Sequence, residues 1–395
     1  MAGRMTVDAR PGPATAAETH AARLAAARAG LAGRGAAALL VGVGSDLRYL
    51  TGHLAHPMER LTMLVLPATG DAAIVVPRLE SMAAAASPAG AAGLVDIEPW
   101  DETDDPYDAV AARIGEPDGA TQPGRLLVDP NLWALHLLAL QRALPGREFG
   151  LATEVTRDLR IVKAPDEIET LRAAAHAADR ALDRIAHGRL IGRTEADVSH
   201  EIGELLVEEG HQFAAFAIVA SGPNAASPHH HASDRVIQAG EPIVLDIGGT
   251  LDGYASDMTR TIWVTGGDTA RGPDGEFRIV HEHVLRANAD ATGAVAPGAP
   301  CAHIDEVARR VIREGGYGDA FIHRLGHGIG MDGHEDPYLV ADSPDVLAPG
   351  MAFSIEPGIY LPGRFGLRLE DIVVATTAGP LPVNAANHDL VSVAA

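Results

Sequence analysis

The sequence is poor in cysteine, aromatic residues and positive charge, and each shortage excludes a class of protein or site. Its single cysteine, Cys301, cannot form an internal disulfide, and we interpret it as a small packed residue near a helix start. Aromatic residues make up 4% of the chain, so the core must consist of closely packed aliphatic side chains. The 31 basic and 53 acidic residues give a formal charge of -22, which would repel a nucleic-acid backbone.

Long hydrophobic runs are also missing. No stretch approaches the roughly 20 apolar residues of a membrane span, and the opening MAGRMTVDARPGPATAAETH has no apolar core of the kind that a secretory signal requires. We therefore expect a cytoplasmic protein with neither a membrane nor a nucleic-acid partner. The glycines of VGVG lack the third glycine of a dinucleotide fingerprint, which argues against nucleotide binding there.

The length of the chain predicts two domains. With 395 residues it exceeds the usual size of one hydrophobic core. Residues 1–16 are expected to form a flexible polar tail. Over residues 17–158, strand-like runs such as LTMLVLP and AAIVVP alternate with helical segments, which indicates a small α/β domain. Pro165 and the acids after it predict a helix start, and helices beside antiparallel hairpins indicate an α+β domain over residues 159–395.

The segment EPIVLDIGGTLDGYASDMTRTIWV predicts a hairpin that carries two aspartates. Asp252 and Gly253 are typical of a two-residue turn, and this turn would place Asp246 opposite Thr259. Asp257 would then lie on the same face as Asp246 and diagonal to it, roughly 7 Å away at the Cα atoms. Two buried carboxylates so close together need raised pKa values or a compensating cation, so the hairpin favours a metal site over two exposed acids.

Three histidines follow in HRLGHGIGMDGHEDP, namely His323, His327 and His334. The four glycines among them prevent a continuous helix, so we expect a loop that presents imidazoles. It is not the HExxH helix of zinc proteases. His327 lies between two glycines and has the least bulk around it, which makes it the first candidate ligand.

Two acids lie downstream where the pattern predicts burial. Glu356 ends the apolar run of MAFSIEPGIY, and Glu370 lies within FGLRLEDIVVAT. Each could instead form a buried ion pair, for example with Arg368. Together with the two aspartates they supply four carboxylates, whose charge two divalent cations would neutralise. Such ligands with one imidazole suit manganese, cobalt, iron or zinc, and a pair of these metals can activate water for hydrolysis of an amide.

In this order, the motifs resemble the pita-bread metallopeptidase family, which includes prolidase, aminopeptidase P, methionine aminopeptidase and creatinase. The resemblance implies an α+β catalytic domain of the pita-bread (creatinase/aminopeptidase) fold. SDLRYLTG and LRIVKAPDEIETLR resemble the smaller N-terminal α/β domain and the domain junction of the prolidase and aminopeptidase P branch. It implies two metal ions, Mn²⁺ or Co²⁺ with Zn²⁺ or Fe²⁺ as alternatives, held by Asp246, Asp257, His327, Glu356 and Glu370.

The resemblance also implies histidines that contact the substrate. In SGPNAASPHHHASDR it points to His229, with His230 and His231 as alternatives if the loop is shifted. His334 matches the family histidine that contacts the scissile carbonyl and its tetrahedral intermediate. His323 matches a further active-site histidine.

The activity implied is hydrolysis of the bond before proline, in a dipeptide or at the N-terminus of a peptide, by a hydroxide that bridges two metal ions. Glu356 would accept its proton, and Arg368 would contact a carboxylate ligand or the substrate. Where some prolidases carry an arginine for the dipeptide carboxylate, this chain reads Asp336-Pro337-Tyr338, so restriction to dipeptides is not implied. A hydrolase or lyase for a small non-peptide metabolite, or a noncatalytic binding protein, are alternatives on the same fold.

Family members commonly dimerise, so we expect a homodimer. In such a dimer the smaller domain can border the cleft of the neighbouring subunit. His53 and His56 in TGHLAHPMER could therefore reach a neighbouring active site, although we favour their interpretation as two polar loop residues.

Overall fold

The structure is a computed structural model that describes residues 15–115 and 124–394. Most of the predicted tail, residues 1–16, lies outside the described residues. The chain divides into two compact units, Met1–Leu159 and Arg160–Ala395. Over the part that is described, no helix combines the length and the apolar character needed to cross a bilayer.

The first unit is built on a mixed six-stranded sheet. In sheet order its strands are β4 (Asp96–Trp100), β3 (Ala73–Pro77), β2 (Met63–Pro67), β1 (Ala36–Val41), β5 (Arg125–Val128) and β6 (Phe149–Leu151). Its helices are α1 (Ala16–Gly33), α2 (Ser45–Thr51), α3 (Ser81–Ala86), α4 (Pro88–Ala91), α5 (Pro106–Ile114), α6 (Ala134–Ala143) and α7 (Thr153–Arg160). The hairpin predicted from LTMLVLP and AAIVVP is confirmed as the antiparallel pair β2 and β3.

Four helices of the second unit precede or separate its strands: α8 (Pro165–Ala186), α9 (Glu195–Glu208), α10 (Gly275–Gly293) and α11 (Cys301–Glu314). The start predicted at Pro165 is confirmed, because Glu167 accepts a hydrogen bond from the Ala164 backbone N–H at 2.8 Å and so caps the first turn of α8. Cys301 begins α11 and is fully buried, as its small size led us to expect.

The first sheet of this unit carries the predicted aspartate hairpin. Its strands are β7 (Phe213–Ser221), β8 (Glu241–Leu251), β9 (Tyr254–Ala255), β10 (Met258–Val264) and β18 (Ser392–Val393). Asp246 pairs with Thr259, which confirms the predicted register. The turn residues Asp252 and Gly253 have φ values of 49° and 87°, as a two-residue hairpin turn requires. One detail of the prediction is wrong: the second strand is interrupted, and Asp257 lies in the break between β9 and β10.

A second sheet and a separate hairpin carry the other predicted ligands. The sheet contains β12 (Glu335–Leu339), β11 (Gly326–Gly328), β13 (Ala352–Ile355), β16 (Asp371–Thr376) and β17 (Gly379–Pro382), and the hairpin consists of β14 (Gly358–Leu361) and β15 (Phe365–Arg368). His327 lies in a short strand, which corrects the expected loop. Its glycines allow close pairing, since a Cβ atom at Gly326 would lie 1.9 Å from the Ser354 carbonyl oxygen. Glu370 lies between β15 and β16, not inside one continuous strand.

Candidate active site

Side chains from several separate strands converge on one cavity of the second unit. The cavity has a volume of about 640 Å³, and all five predicted metal ligands line it. Their ligand atoms form two groups of three that share Glu370, and a further group joins Asp257 and His327 to His334; within each group the atoms lie within 4.8 Å of one another. The contributors are Asp246 in β8, Asp257 between β9 and β10, His327 in β11, Glu356 directly after β13, and Glu370 between β15 and β16.

The carboxylates of this cluster are buried with too little positive charge to balance them. Burial raises the pKa of Asp257 well above its usual range, and the neighbouring Asp246 and Glu356 raise it further. Burial is also the main cause that raises the pKa of Glu370 well above its usual range, and the charge of Asp257 is the second. Burial also raises the pKa of Glu356 to about 7, against the attraction of Arg368. The cluster therefore favours binding of protons or cations over an uncompensated charged state.

Two further observations fit divalent cations. Asp246 Oδ1 is buried and has no hydrogen-bond partner within the described part of the chain. His327 Nδ1 lies 3.1 Å from the Gly328 carbonyl oxygen, so Nδ1 carries the proton and Nε2 keeps its lone pair. This Nε2 lies 3.4 Å from Glu356 Oε1 and 3.6 Å from Asp257 Oδ2. Oxygen donors around one imidazole nitrogen suit ions such as Mn²⁺, Co²⁺, Fe²⁺ or Zn²⁺.

Arg368 is the cation that lies deepest in the cluster. Its side chain is 3% exposed, and its Nη2 donates to Asp246 Oδ2 at 2.5 Å. Its Nε donates to Thr259 Oγ1 at 3.0 Å, and that hydroxyl donates to Glu370 Oε2 at 2.7 Å. Its Nη1 donates to the Tyr360 hydroxyl at 2.8 Å. Arg368 therefore orients two of the carboxylates, one directly and one through a hydroxyl.

His323 also lines the cavity, but both of its ring nitrogens form hydrogen bonds inside the protein. Its Nδ1 lies 2.7 Å from the Arg324 carbonyl oxygen, and the Tyr360 hydroxyl donates to its Nε2 at 2.9 Å. Burial, with the nearby charge of Arg368, lowers the pKa of His323 to about 4 and keeps the ring neutral. Burial raises the pKa of Tyr360 to about 12, so its hydroxyl stays a donor. Substrate contact by His323 stays a prediction, whereas its contact with Tyr360 is a feature of the structure.

His334 lies at the surface of the cavity, and its ring stacks on that of His327 with 3.7 Å between the centroids. Arg324 Nη2 lies 2.9 Å from His334 Nδ1. Because a guanidinium can only donate, Nδ1 is the acceptor and the ring proton is on Nε2. Partial burial, followed by the charge of Arg324, lowers the pKa of His334. A neutral His334 therefore offers an Nε2–H donor to a substrate oxygen.

Arg324 was not among the residues expected from the sequence. Its guanidinium lines the cavity and lies 4.6 Å from the centre of the Tyr338 ring. The available signal was its place beside His323 in the HRLGHG motif. A single arginine there has no periodicity that would show which way it points, so its contact with His334 required the structure.

Among the three adjacent histidines, His229 lines the cavity and His230 points to a buried carboxylate. That carboxylate is Glu195, the fully buried first residue of α9, and His230 Nε2 donates to its Oε2 at 2.8 Å. Ser221 and Ser233 donate to it from both their hydroxyls and their backbone N–H groups. Burial alone would raise the pKa of Glu195, but these hydrogen bonds outweigh burial and lower it to about 2. Glu195 thus fixes both ends of the loop that presents His229.

The hydrogen bonds to Glu195 should make the protein sensitive to acid. Because the folded pKa of about 2 lies below the ordinary value of 4.5, this carboxylate stabilises the fold above about pH 4.5 and ceases to do so as pH falls toward about 2. The difference between these two pKa values corresponds to a contribution of about 3 kcal/mol to the free energy of unfolding. We expect Glu195→Gln to lower the free energy of unfolding in urea at neutral pH by up to this amount, with a gap from wild type that closes in acid.

Glu204→Gln is the matched control, because it makes the same change at an exposed carboxylate of the same helix. It should leave the free energy of unfolding within about 0.5 kcal/mol of wild type. A Glu195→Gln variant that is as stable as Glu204→Gln at neutral pH would contradict the role given to Glu195.

His53 and His56, which were singled out from the sequence of the first unit, are in different surroundings. His53 is 3% exposed, and its Nε2 has no hydrogen-bond partner among residues 15–115 and 124–394. Burial lowers the pKa of this imidazole, so it is neutral at physiological pH. His56 is exposed. Contact of either residue with a neighbouring subunit stays a prediction, and His56 is the one whose side chain is accessible for it.

Comparison with known proteins identifies the family of the chain. Residues 169–377 match the model of metallopeptidase family M24, and residues 23–162 match that of the creatinase/prolidase N-terminal domain. The chain belongs to metallopeptidase family M24. The resemblance inferred from the sequence motifs is therefore confirmed, as is the fold: a pita-bread catalytic domain that follows a creatinase/prolidase N-terminal domain.

Relatives within family M24 cover nearly all of the chain. The probable dipeptidase PepE of Mycobacterium tuberculosis is 47% identical over 378 residues, which are 95% of this chain and 97% of the relative. The crystal structure of dipeptidase PepE from Mycobacterium ulcerans has a TM-score of 0.88 at 46% identity and covers 95% of this chain and 98% of that one. The Xaa-Pro dipeptidase of Pyrococcus furiosus is 40% identical over 234 residues, 59% of this chain and 66% of the relative.

Proposed function

We propose that this M24 metallopeptidase uses two metal ions to hydrolyse the bond before proline, in Xaa-Pro dipeptides or at the N-terminus of longer peptides. The observation that carries the proposal is the convergence of four carboxylates and one neutral imidazole on one cavity, where Asp246 Oδ1 has no hydrogen-bond partner among residues 15–115 and 124–394. The choice of bond is supported by the name of the Pyrococcus furiosus relative, an Xaa-Pro dipeptidase. A cytoplasmic homodimer remains our expectation from the sequence.

Two divalent ions, Mn²⁺ or Co²⁺ in preference to Zn²⁺ or Fe²⁺, would be held by Asp246, Asp257, His327, Glu356 and Glu370. When bound, such ions supply an activated water as nucleophile and polarise the scissile carbonyl group. Among these residues Glu356 is placed to move a proton. Ser354 Oγ donates to its Oε1 at 3.1 Å and fixes the carboxylate, which can accept a proton from the nucleophile and pass it to the leaving imino nitrogen.

His334 and His229 would bind the substrate on the open side of the cavity. The Nε2–H of His334 can donate to the carbonyl oxygen as negative charge develops on it, because Arg324 holds the other nitrogen as an acceptor. His229 is exposed on a loop that Glu195 fixes, and its ring lines the same cavity. Arg368 acts behind the ligands, where it holds Asp246 and positions Glu370 through Thr259.

Arg324 bears on the length of the substrate. Tyr338 stands near the place where some prolidases carry an arginine for the carboxylate of a dipeptide, and the guanidinium of Arg324 lies against this tyrosine ring in the cavity. A guanidinium suits a carboxylate because its N–H groups can donate two parallel hydrogen bonds. We therefore favour dipeptides over longer peptides. The names of the mycobacterial relatives, both dipeptidases, support this preference.

The test is to remove metal with a chelator, restore Mn²⁺ or Co²⁺, and measure hydrolysis of Xaa-Pro dipeptides and longer Xaa-Pro peptides. We expect no turnover without metal, turnover on restoration, and kcat/KM at least about 10-fold higher for dipeptides, which corresponds to about 1.4 kcal/mol from one carboxylate contact. Peptides without proline at the second position serve as controls. A metal-loaded protein that cleaves no peptide would contradict the proposal and favour a small non-peptide substrate.

A further inference from the structure

A cluster of two cations and two carboxylates joins the start of the second unit to residues near His334, and it is largely buried except for the Asp332 side chain, which is 43% exposed. Lys163, whose side chain is 2% exposed, places Nζ 2.6 Å from Glu335 Oε1. Arg160 Nη2 lies 2.5 Å from Glu335 Oε2 and 2.6 Å from Asp332 Oδ2. Both oxygens of Glu335 are thus bound by separate cations. None of these four side chains has a part in the mechanism described above.

The local backbone is shaped to admit this carboxylate. Gly330 makes the room, because a Cβ atom there would lie 2.5 Å from Glu335 Oε1. Lys163 is fixed by its backbone, since its N–H donates to the Gly350 carbonyl oxygen at 2.8 Å. Buried ion pairs contribute little to stability compared with apolar side chains of the same volume. The cluster is therefore better explained by the geometry that it imposes than by the stability that it adds.

The segment that the cluster holds is the one that carries His334. We call residues 331–334 the His334 loop, which ends where β12 begins at Glu335. Glu335 directly follows His334, and Asp332 lies two positions before it. The side chain of His334 itself is exposed, and its contacts are the ring of His327 and the guanidinium of Arg324. The position of its backbone is therefore set by the two flanking carboxylates together with the pairing of Glu335 with Gly328.

We propose that Arg160 and Lys163 are positioning residues, which hold the His334 loop so that the His334 ring covers His327 and directs its Nε2–H into the cavity. This inference rests on the proposed function, because it assumes that the Nε2–H stabilises the reacting carbonyl oxygen. Neither cation lines the cavity, so both act through Glu335 and Asp332. Without this cluster, the loop would sample other positions and the donor would be present for a smaller fraction of the time.

A double-mutant cycle separates positioning from a general loss of structure. We expect Glu335→Ala to lower kcat by about 10- to 100-fold with a smaller change in KM, as is usual when a group that orients an active-site residue is removed. In the His334→Ala background the same change should cost less than about 3-fold, because the residue on which it acts is already gone. Glu335→Gln, which keeps an oxygen for one of the two cations, should lose less than Glu335→Ala. If Glu335→Ala fails to fold, Glu335→Gln replaces it, and its loss of kcat is compared with and without His334.

Hydrogen–deuterium exchange supplies a readout that needs no substrate. Amides of the His334 loop should exchange faster in Glu335→Ala and in Lys163→Met than in wild type, with exchange elsewhere in the second unit unchanged. Glu169→Ala is the matched control, because it removes an exposed carboxylate that pairs with Arg172 in the same unit. It should change neither kcat nor exchange of the loop.

The outcomes distinguish this inference from the proposed function. If wild type cleaves no Xaa-Pro peptide, the proposed function fails, and faster exchange of the loop in the variants still supports the holding role of Arg160 and Lys163. Equal losses of kcat with and without His334 would overturn the inference. Unchanged exchange of the loop in both Glu335→Ala and Lys163→Met would also overturn it.

Discussion

Asp257→Asn, loaded with the same metal as wild type, should hydrolyse Xaa-Pro peptides on the order of 10³-fold more slowly. Asp257 belongs to two of the candidate ligand groups, one with His327 and His334 and one with Asp246 and Glu370. Its replacement therefore affects both halves of the site. Asparagine has nearly the same shape but no negative charge, so the loss would reflect a weaker ligand. The measurement is kcat/KM together with the metal content of the purified variant.

The metal-free form of the same variant provides an internal control. Burial raises the pKa of Asp257, and Asp246 and Glu356 raise it further. Without metal, the ionised form of this carboxylate therefore destabilises the folded state. Metal-free Asp257→Asn should thus unfold at the same temperature as metal-free wild type or a higher one. Added metal should raise this temperature less in the variant than in wild type, because the free energy by which bound metal stabilises the folded state grows with the logarithm of its affinity.

Asp252→Asn is the matched control for this pair of measurements. Asp252 is exposed at the turn of the same hairpin and has a φ of 49°, a conformation that asparagine tolerates well. This variant should keep both wild-type activity and the full response to metal. Asp257→Asn that retains wild-type kcat/KM with a full complement of metal would remove Asp257 from the ligand set.

The aspartate hairpin shows how far local patterns reach. A two-residue turn at Asp252 and Gly253 fixes the register of both strands, so the pairing of Asp246 with Thr259 could be predicted from the sequence alone. The alternation of apolar and polar residues and the residue types of a turn involve only a few neighbouring positions, so they can be recognised in the sequence.

The interruptions of these strands were not predicted, because their causes lie elsewhere in the chain. The sequence around Glu370 reads as one continuous strand, but Glu370 forms an isolated bridge with Thr259 of the other sheet. Similarly, the glycines beside His327 suggested a loop, whereas they allow close approach of Ser354 and of the chain around Asp336. A glycine in the sequence indicates that a side chain would not fit at that position, but it does not indicate which neighbouring segment approaches there.

Contacts made by arginine side chains marked the limit of sequence reasoning for the site. Arg160 and Glu335 are 175 residues apart, and neither their contact nor the hydrogen bond from Arg324 to His334 follows from a spacing pattern in the sequence. The ligand set was different, because acids in apolar strands are unusual enough to stand out. Family resemblance then assigned roles to these acids, whereas the residues that orient them emerged from the packing.

Replacement of Arg368 by methionine should produce the largest loss of stability among the changes considered. Its side chain is 3% exposed and donates to Asp246 Oδ2 at 2.5 Å. Removal of one partner leaves the other charge buried and unpaired, which costs about 3–5 kcal/mol. In a domain of about 150–250 residues, a range that includes the second unit, each kcal/mol lowers the melting temperature by about 2–4 °C. We expect the metal-free Arg368→Met variant to melt about 6–20 °C below metal-free wild type in calorimetry.

Metal should reverse much of this loss, because a divalent cation bound to Asp246 replaces the positive charge of the missing guanidinium. Arg364→Met is the matched control: Arg364 lies between β14 and β15, and its side chain is 51% exposed in an ion pair with Glu276. Exposed pairs contribute at most about 1 kcal/mol, so this variant should melt close to wild type with or without metal. If the metal-free Arg368→Met and Arg364→Met variants have the same melting temperature, the Asp246 carboxylate does not depend on Arg368 for its charge balance. If Arg368→Met stays equally destabilised after metal is added, the bound cation does not reach Asp246.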